Sequence, residues 1–152
     1  MSVDRDRIAD LIYDSCAFLD EERFDDYIAL CTAEFTYRIT AYSEELRKPM
    51  EWMYQRRDDF HALLNGVETH EVAIAHLRRV ASMIRIGKAS NGIVPVRSTV
   101  TVYHTWYDGD TRLFVVGTYK DKVTNVGDAP LLASREVVLD TRRLASGTHI
   151  PI

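Results

Sequence analysis

Cysteine is nearly absent from this chain. Only Cys16 and Cys31 occur, with no CxxC pair, which excludes a disulfide framework and a structural zinc site and fits a reducing cytoplasm. Glycine is sparse too: the seven glycines are scattered and sit mainly at turn-like positions, so no Gly-rich phosphate loop exists. No Gly-x-Ser-x-Gly elbow is present, and Ser90 merely precedes Asn91-Gly92 in a turn signal. Long hydrophobic runs are missing, none approaching the ~20 residues that span a bilayer. The opening "MSVDRDRIAD" lacks an apolar signal core. These absences lead to the expectation of a soluble, cytoplasmic protein with no membrane partner. Basic charge is also in deficit, at net −4. That argues against nucleic acid as the partner, because phosphate binding needs clustered Lys and Arg, while leaving room for a local basic patch.

What is present reads as one domain over residues 1–152, 46% hydrophobic and 28% charged, a length sufficient for a real core. Residues 2–19 place Ile8, Leu11, Ile12, Ser15, Phe18 and Leu19 at helical spacing. "DEERFDDYIALC" predicts a short second helix with Phe24, Tyr27, Ile28 and Cys31 inward. "EFTYRITAY" (34–42) alternates as a strand. After Pro49, "MEWMYQRRDDFHALLNG" predicts a third helix, stopped by Asn65-Gly66. The second half is strand after strand: 76–86, 94–107, 112–126 and 131–144, separated by "GKASNG", "DGDT" and "VGDAP". In the second of these, Val96, Val100, Val102, His104 and Trp106 share one face. Arg97, Thr99, Thr101, Tyr103 and Thr105 share the other. Helices first and a meander afterwards predict an α+β fold, a curved, mostly antiparallel sheet wrapping N-terminal helices as a cone-shaped open barrel.

The densest run of chemistry-bearing residues is "GVETHEVAIAHLRRV" (66–80), with His70 and His76. As strand residues the two histidines would stand roughly 20 Å apart. As helix residues they would diverge by about 120° and ~9 Å along the axis. Neither geometry lets them share one ion at bond lengths near ~2 Å. His-Glu-x-x-His spacing is absent, and neither cysteine has a histidine within two or three residues, so the Rieske signature is missing too. Cys16 and Cys31 read as small buried apolar residues on helices. The expectation is therefore no metal, cofactor-binding or catalytic residue in this chain. A cavity enzyme of the ketosteroid-isomerase or dehydratase type is the alternative. In it Tyr13, Asp14, Tyr37, Trp52, His70 and His104 would project into the cone and one internal group would carry a shifted pKa.

Arginine, lysine and tyrosine interrupt the apolar strands in "HLRR", "RSTV", "YKDK" and "SREVVLDTRR". Most such charges belong to solvated outer faces. Their mixture with tyrosine also suits a sheet face packed against another chain. His76, Arg78, Arg79, Arg97, Tyr103, Tyr119, Asp121 and Arg135 are the predicted subunit-contact residues.

Four phrases, taken in order, resemble the small (β) subunits of Rieske non-haem iron oxygenases. "VVGTYKDKVT" (115–124) is similar to that family's Gly-x-Tyr-x-Asp strand, here Gly117, Tyr119 and Asp121. "LLASREVVLDTRRL" (131–144) resembles its next strand, through Arg135, Glu136, Val137, Val138 and Asp140. "FDDYIALCTAEFTYRIT" (24–40) looks like its helix-to-strand entry, and "ASGTHIPI" like its apolar tail. The likeness leans to shorter members, such as those accompanying terephthalate, salicylate or methanesulfonate oxygenases. One departure is Ala75-His76-Leu77-Arg78-Arg79, where many members carry Arg-His. The resemblance implies a nuclear-transport-factor-like (cystatin-like) cone and a non-catalytic structural small subunit. It also implies self-association as a trimer and an α3β3 assembly with a large (α) subunit. That partner would hold the Rieske [2Fe–2S] cluster and mononuclear iron and hydroxylate aromatic or related organic acids.

Overall fold

The computed structural model describes residues 3–67, 76–125, 128–142 and 151–152. Its elements follow the order α1 (Arg5–Asp20), α2 (Phe24–Ala29), β1 (Cys31–Ser43), β2 (Lys48–Arg56), α3 (Arg57–Val67), β3 (His76–Ile86), β4 (Val94–Thr105), β5 (Thr111–Thr124) and β6 (Leu131–Leu139).

The predicted first helix forms, starting at Asp4, whose carboxylate accepts from the Arg7 amide at 3.1 Å; an acidic cap offsets the unpaired N–H groups there. Its buried side is Ile8, Leu11, Ile12, Ser15, Cys16 and Leu19. Glu22 then takes φ +57°, a left-handed turn that reverses the chain into α2. Phe24, Tyr27 and Ile28 face inward as predicted. Cys31 is buried but opens β1 rather than closing the helix.

The predicted third helix is only half helical. Residues 48–56 instead pair antiparallel with β1, and α3 begins at Arg57. Trp52 and Met53 fit a helical spacing with Phe60 and Leu64, yet Trp52 and Tyr54 also fit a pleated surface, and pairing with the long β1 decides between them. Pro49 is tolerated because β2 is an edge strand.

The six strands form one sheet in the order β2-β1-β6-β5-β4-β3. Strands β3 to β6 make the predicted antiparallel meander. Its last strand pairs in parallel with β1, closing the two halves of the chain on each other. On β4, Val96, Ser98, Val100 and Val102 are buried while Arg97 and Tyr103 are exposed, the alternation predicted for that strand. Helix α1 packs on β3 at one end of the order, and α3 on β1 and β2 at the other. One apolar cluster runs from Ile8 through Phe35, Phe60 and Val115 to Ile152. Among the described residues no helix is long and apolar enough to cross a membrane.

Candidate functional site

The sheet separates two candidate regions, an inner face against the helices and an outer face turned away from them. On the inner face, period-2 alternation along β5 buries Val115, Gly117, Tyr119, Asp121 and Val123. Asp121 lies opposite Arg135 in the β5–β6 register. The Arg135 guanidinium donates to both carboxylate oxygens, Nε to Oδ1 at 2.8 Å and Nη2 to Oδ2 at 3.0 Å, with neither side chain reaching solvent. It also stacks 3.9 Å from the centroid of the Tyr119 ring. Such a two-pronged pair satisfies a carboxylate in a medium that would otherwise penalise its charge. Burial pushes the Asp121 carboxyl up, and the Arg135 charge opposes that.

Gly117 belongs to the same arrangement. A Cβ there would meet the Val138 carbonyl oxygen at 2.7 Å, so the glycine permits close backbone approach of β6. The Gly-x-Tyr-x-Asp phrase and its arginine are thus one packing unit. Tyr119, Asp121, Arg135 and Arg79, predicted as subunit contacts, are all enclosed in the chain's own interior. Their charges suggested a surface; their partners across the sheet and on α1 allow burial instead.

Arg79 on β3 reaches α1, donating from Nη1 to Asp20 Oδ1 at 2.7 Å, while its backbone amide also donates to the Asp20 carboxylate. Its Nη2 donates to the Pro151 carbonyl. On β1, the Tyr37 hydroxyl donates to the Ile152 carbonyl at 2.9 Å and accepts from the Ile152 amide at 3.0 Å. Residues 151–152 are therefore held from both sides of the cone, with Ile152 packed into the core beside Tyr37 and Phe60. Sequence reasoning noticed the tail as apolar but had no signal for where it docks.

The residues predicted for a cavity enzyme do not converge. Tyr13 and Asp14 lie exposed on α1, and Trp52 is exposed on β2, so none of the three projects into the cone. Tyr37 is buried and engaged with the tail, and burial raises its hydroxyl above the usual range. His104 is half-buried, 4.4 Å from Trp106 and 5.5 Å from Phe114 by ring centroids, and burial lowers its pKa. His70 lies outside the described residues. Burial pushes the Cys31 thiol up to about 12 and raises Cys16 as well. Both thiols are poor nucleophiles. Among the described residues no three His, Cys, Asp or Glu side chains gather as a metal site. The described residues do not fit a Rieske cluster or a mononuclear iron.

The outer face is different in kind. His76, Arg78, Arg97 and Tyr103 are exposed there, Arg78 opposite Tyr103 and His76 opposite Thr105. Toward the other end of the strands lies a recess of about 860 Å³, with Arg38, Arg85, Arg97, Lys120, Lys122 and Glu136 along its walls. The registers align Arg38, Glu136, Lys120, Arg97 and Arg85 in one row across five strands. Arg38 is satisfied by Glu51 at 2.8 Å, and Glu136 accepts from the Thr40 hydroxyl at 3.1 Å.

A curved sheet with helices filling its inner side and a charged, tyrosine-bearing outer side defines the cone-shaped α+β class of nuclear transport factor type. The comparisons place it more closely. Residues 15–146 match the family described as "Ring hydroxylating beta subunit". The chain is 38% identical to the 2-aminobenzenesulfonate 2,3-dioxygenase subunit beta of Alcaligenes sp., over 95% of this chain and 97% of that one. It is 31% identical to the methanesulfonate monooxygenase hydroxylase subunit beta of Methylosulfonomonas methylovora, over 97% of this chain and 86% of the other. A crystal structure described as the β subunit of an aromatic-ring-hydroxylating dioxygenase from Novosphingobium aromaticivorans superposes with a TM-score of 0.84. At 23% identity over 97% of this chain and 96% of that one, it speaks to the fold. The chain belongs to the family of ring-hydroxylating oxygenase β subunits.

Proposed function

We propose that this chain is a structural small subunit that holds catalytic large subunits in place and does no chemistry itself. In this reading the large subunit carries the Rieske [2Fe–2S] cluster and the mononuclear iron. The small subunit self-associates as a trimer and supports an α3β3 hydroxylase. His76, Arg78, Arg97 and Tyr103 on the outer sheet face are the predicted contacts that remain available to another chain.

One observation carries the reading. The inward-facing carboxylates and the Tyr37 hydroxyl are engaged with arginines and with the chain's own tail: Asp121 with Arg135, Asp20 with Arg79, and Tyr37 with Ile152. A general acid or base needs a free proton position within reach of a substrate atom. Both curated relatives are named for sulfonates, so a sulfonated organic acid is the first substrate to offer the assembled hydroxylase.

Co-expression with candidate Rieske large subunits, followed by size-exclusion chromatography and iron analysis, tests the proposal. The expected result is one stoichiometric complex whose iron and turnover depend on the large subunit. Stoichiometric iron in the small chain purified alone, or turnover by it, would overturn the reading.

A further inference from the structure

Four cations in the outer recess have no ion-pair partner among the described residues: Arg85, Arg97, Lys120 and Lys122. Three of them are direct neighbours across the sheet, Lys120 opposite Arg97 and Arg97 opposite Arg85. Like charges directly opposite on one face are destabilising, and two strand spacings stretch this row over about 10 Å. A protein of net charge −4 thus keeps three cations in line in a concave part of its surface, with Glu136 opposite Lys120 as the one acid of the row.

The matching negative line is on α1. Asp6, Asp10 and Asp14 are exposed, follow one another at i, i+4 spacing, and have no ion pair among the described residues. Like charges at that spacing also repel. Eight residues of helix rise set their length at about 12 Å, close to that of the basic row. Tyr13, half exposed beside Asp14, adds an aromatic side chain of the kind enriched at protein contacts. Helix and row cannot meet within one molecule, because α1 packs on β3 from the inner side of the sheet.

We propose that the basic row of one copy seats the acidic α1 stripe of a second copy, in a head-to-tail contact. Such a contact joins two different surfaces, so it propagates from copy to copy and closes when the rotation between copies allows. The proposal rests on the reading that this chain self-associates, and supplies the surface and the chemistry for it.

Two charge-reversed variants test it, Arg97→Glu/Lys120→Glu on the sheet and Asp10→Lys/Asp14→Lys on the helix. All four residues are exposed, and circular dichroism with a thermal melt checks that both variants fold. Sedimentation velocity at low salt should show wild-type association that weakens as salt rises. Each variant alone should associate about tenfold more weakly or worse, since close charge pairs across interfaces couple strongly. An equimolar mixture of the two should recover pairing between unlike variants, because each then meets the opposite charge; a closed ring of three would still hold one like-variant contact, so the species to look for is the mixed pair. Wild-type behaviour of either folded variant, or no recovery in the mixture, overturns the contact. So does a wild-type chain that stays monomeric at low salt. Capture by the large subunit is measured in parallel. Variants that bind the large subunit normally yet show no recovery when mixed remove this contact and leave the small-subunit reading standing.

Discussion

Replacing Asp121 by Ala should cost far more than the loss of one surface ion pair. Both partners of the Asp121–Arg135 pair are fully enclosed, and the carboxylate takes two charged hydrogen bonds at 2.8 and 3.0 Å. Removing the acid leaves the guanidinium buried against the Tyr119 ring with no counter-charge, and its Nη1 already has no hydrogen-bond partner among the described residues. Breaking a buried pair from one side costs about 3–5 kcal/mol, whereas replacing both members by apolar residues of similar volume is often neutral or stabilising. For a domain of this size that corresponds to a fall in Tm of roughly 6–20 °C. The comparison that isolates charge from packing is Asp121→Ala against the double variant Asp121→Leu/Arg135→Met, both measured by urea denaturation with far-ultraviolet circular dichroism. The single variant should lose most of the stability and the double variant should recover much of it. A single variant within about 1 kcal/mol of wild type, which is the range of an exposed pair, would refute the reasoning. So would a double variant that is no better than the single one.

Gly117→Ala should destabilise by about 1–3 kcal/mol, the usual range for forcing atoms into a filled space. The added Cβ would meet the Val138 carbonyl at 2.7 Å, and an unchanged denaturation midpoint would contradict this. Native protein at pH 8 should resist iodoacetamide at both cysteines and label fully in denaturant, because both are buried and burial pushes the Cys31 thiol up to about 12; fast native labelling read by mass spectrometry would overturn it. His104 is held below its ordinary pKa of 6.5 by burial, so the unfolded chain binds its proton first as pH falls. Its contribution is present above pH 6.5 and is lost as pH falls through the lowered folded value. Urea midpoints from pH 7.5 to 5 should therefore fall more steeply for wild type than for His104→Phe, which keeps a ring against Trp106 and Phe114. Parallel curves would exclude it.

Much of the fold was legible because it rests on local pattern. The spacing of Ile8, Leu11 and Ile12 and the alternation of Val96, Val100 and Val102 each report which side of an element is buried. What pattern cannot report is a decision made by a distant partner. Residues 48–56 could satisfy a helical spacing or a pleat, and only the presence of β1 beside them selects the strand. The buried charges show the same limit more sharply. Asp121 and Arg135 are fourteen residues apart, and their pairing depends on a β5–β6 register that a single sequence does not announce. Read separately, each is a charge on a strand and belongs outside; read together, they are a neutral unit that can be enclosed.

The same reasoning explains why the predicted contact residues divide as they do. Alternation is period two, so neighbours in sequence must face opposite ways. Arg78 and Arg79 are adjacent, and only one of them can look outward. Arg79 turns inward because Asp20 and the Pro151 carbonyl wait there, while Arg78 stays outside opposite Tyr103. Tyr119 and Lys120 divide in the same way, the tyrosine under Arg135 and the lysine beside Arg97. A strand phrase dense in Arg, Lys and Tyr therefore encodes two structures at once. Its inward half closes the cone with paired charges and a clasped tail. Its outward half carries cations with no ion pair among the described residues, turned away from the helices.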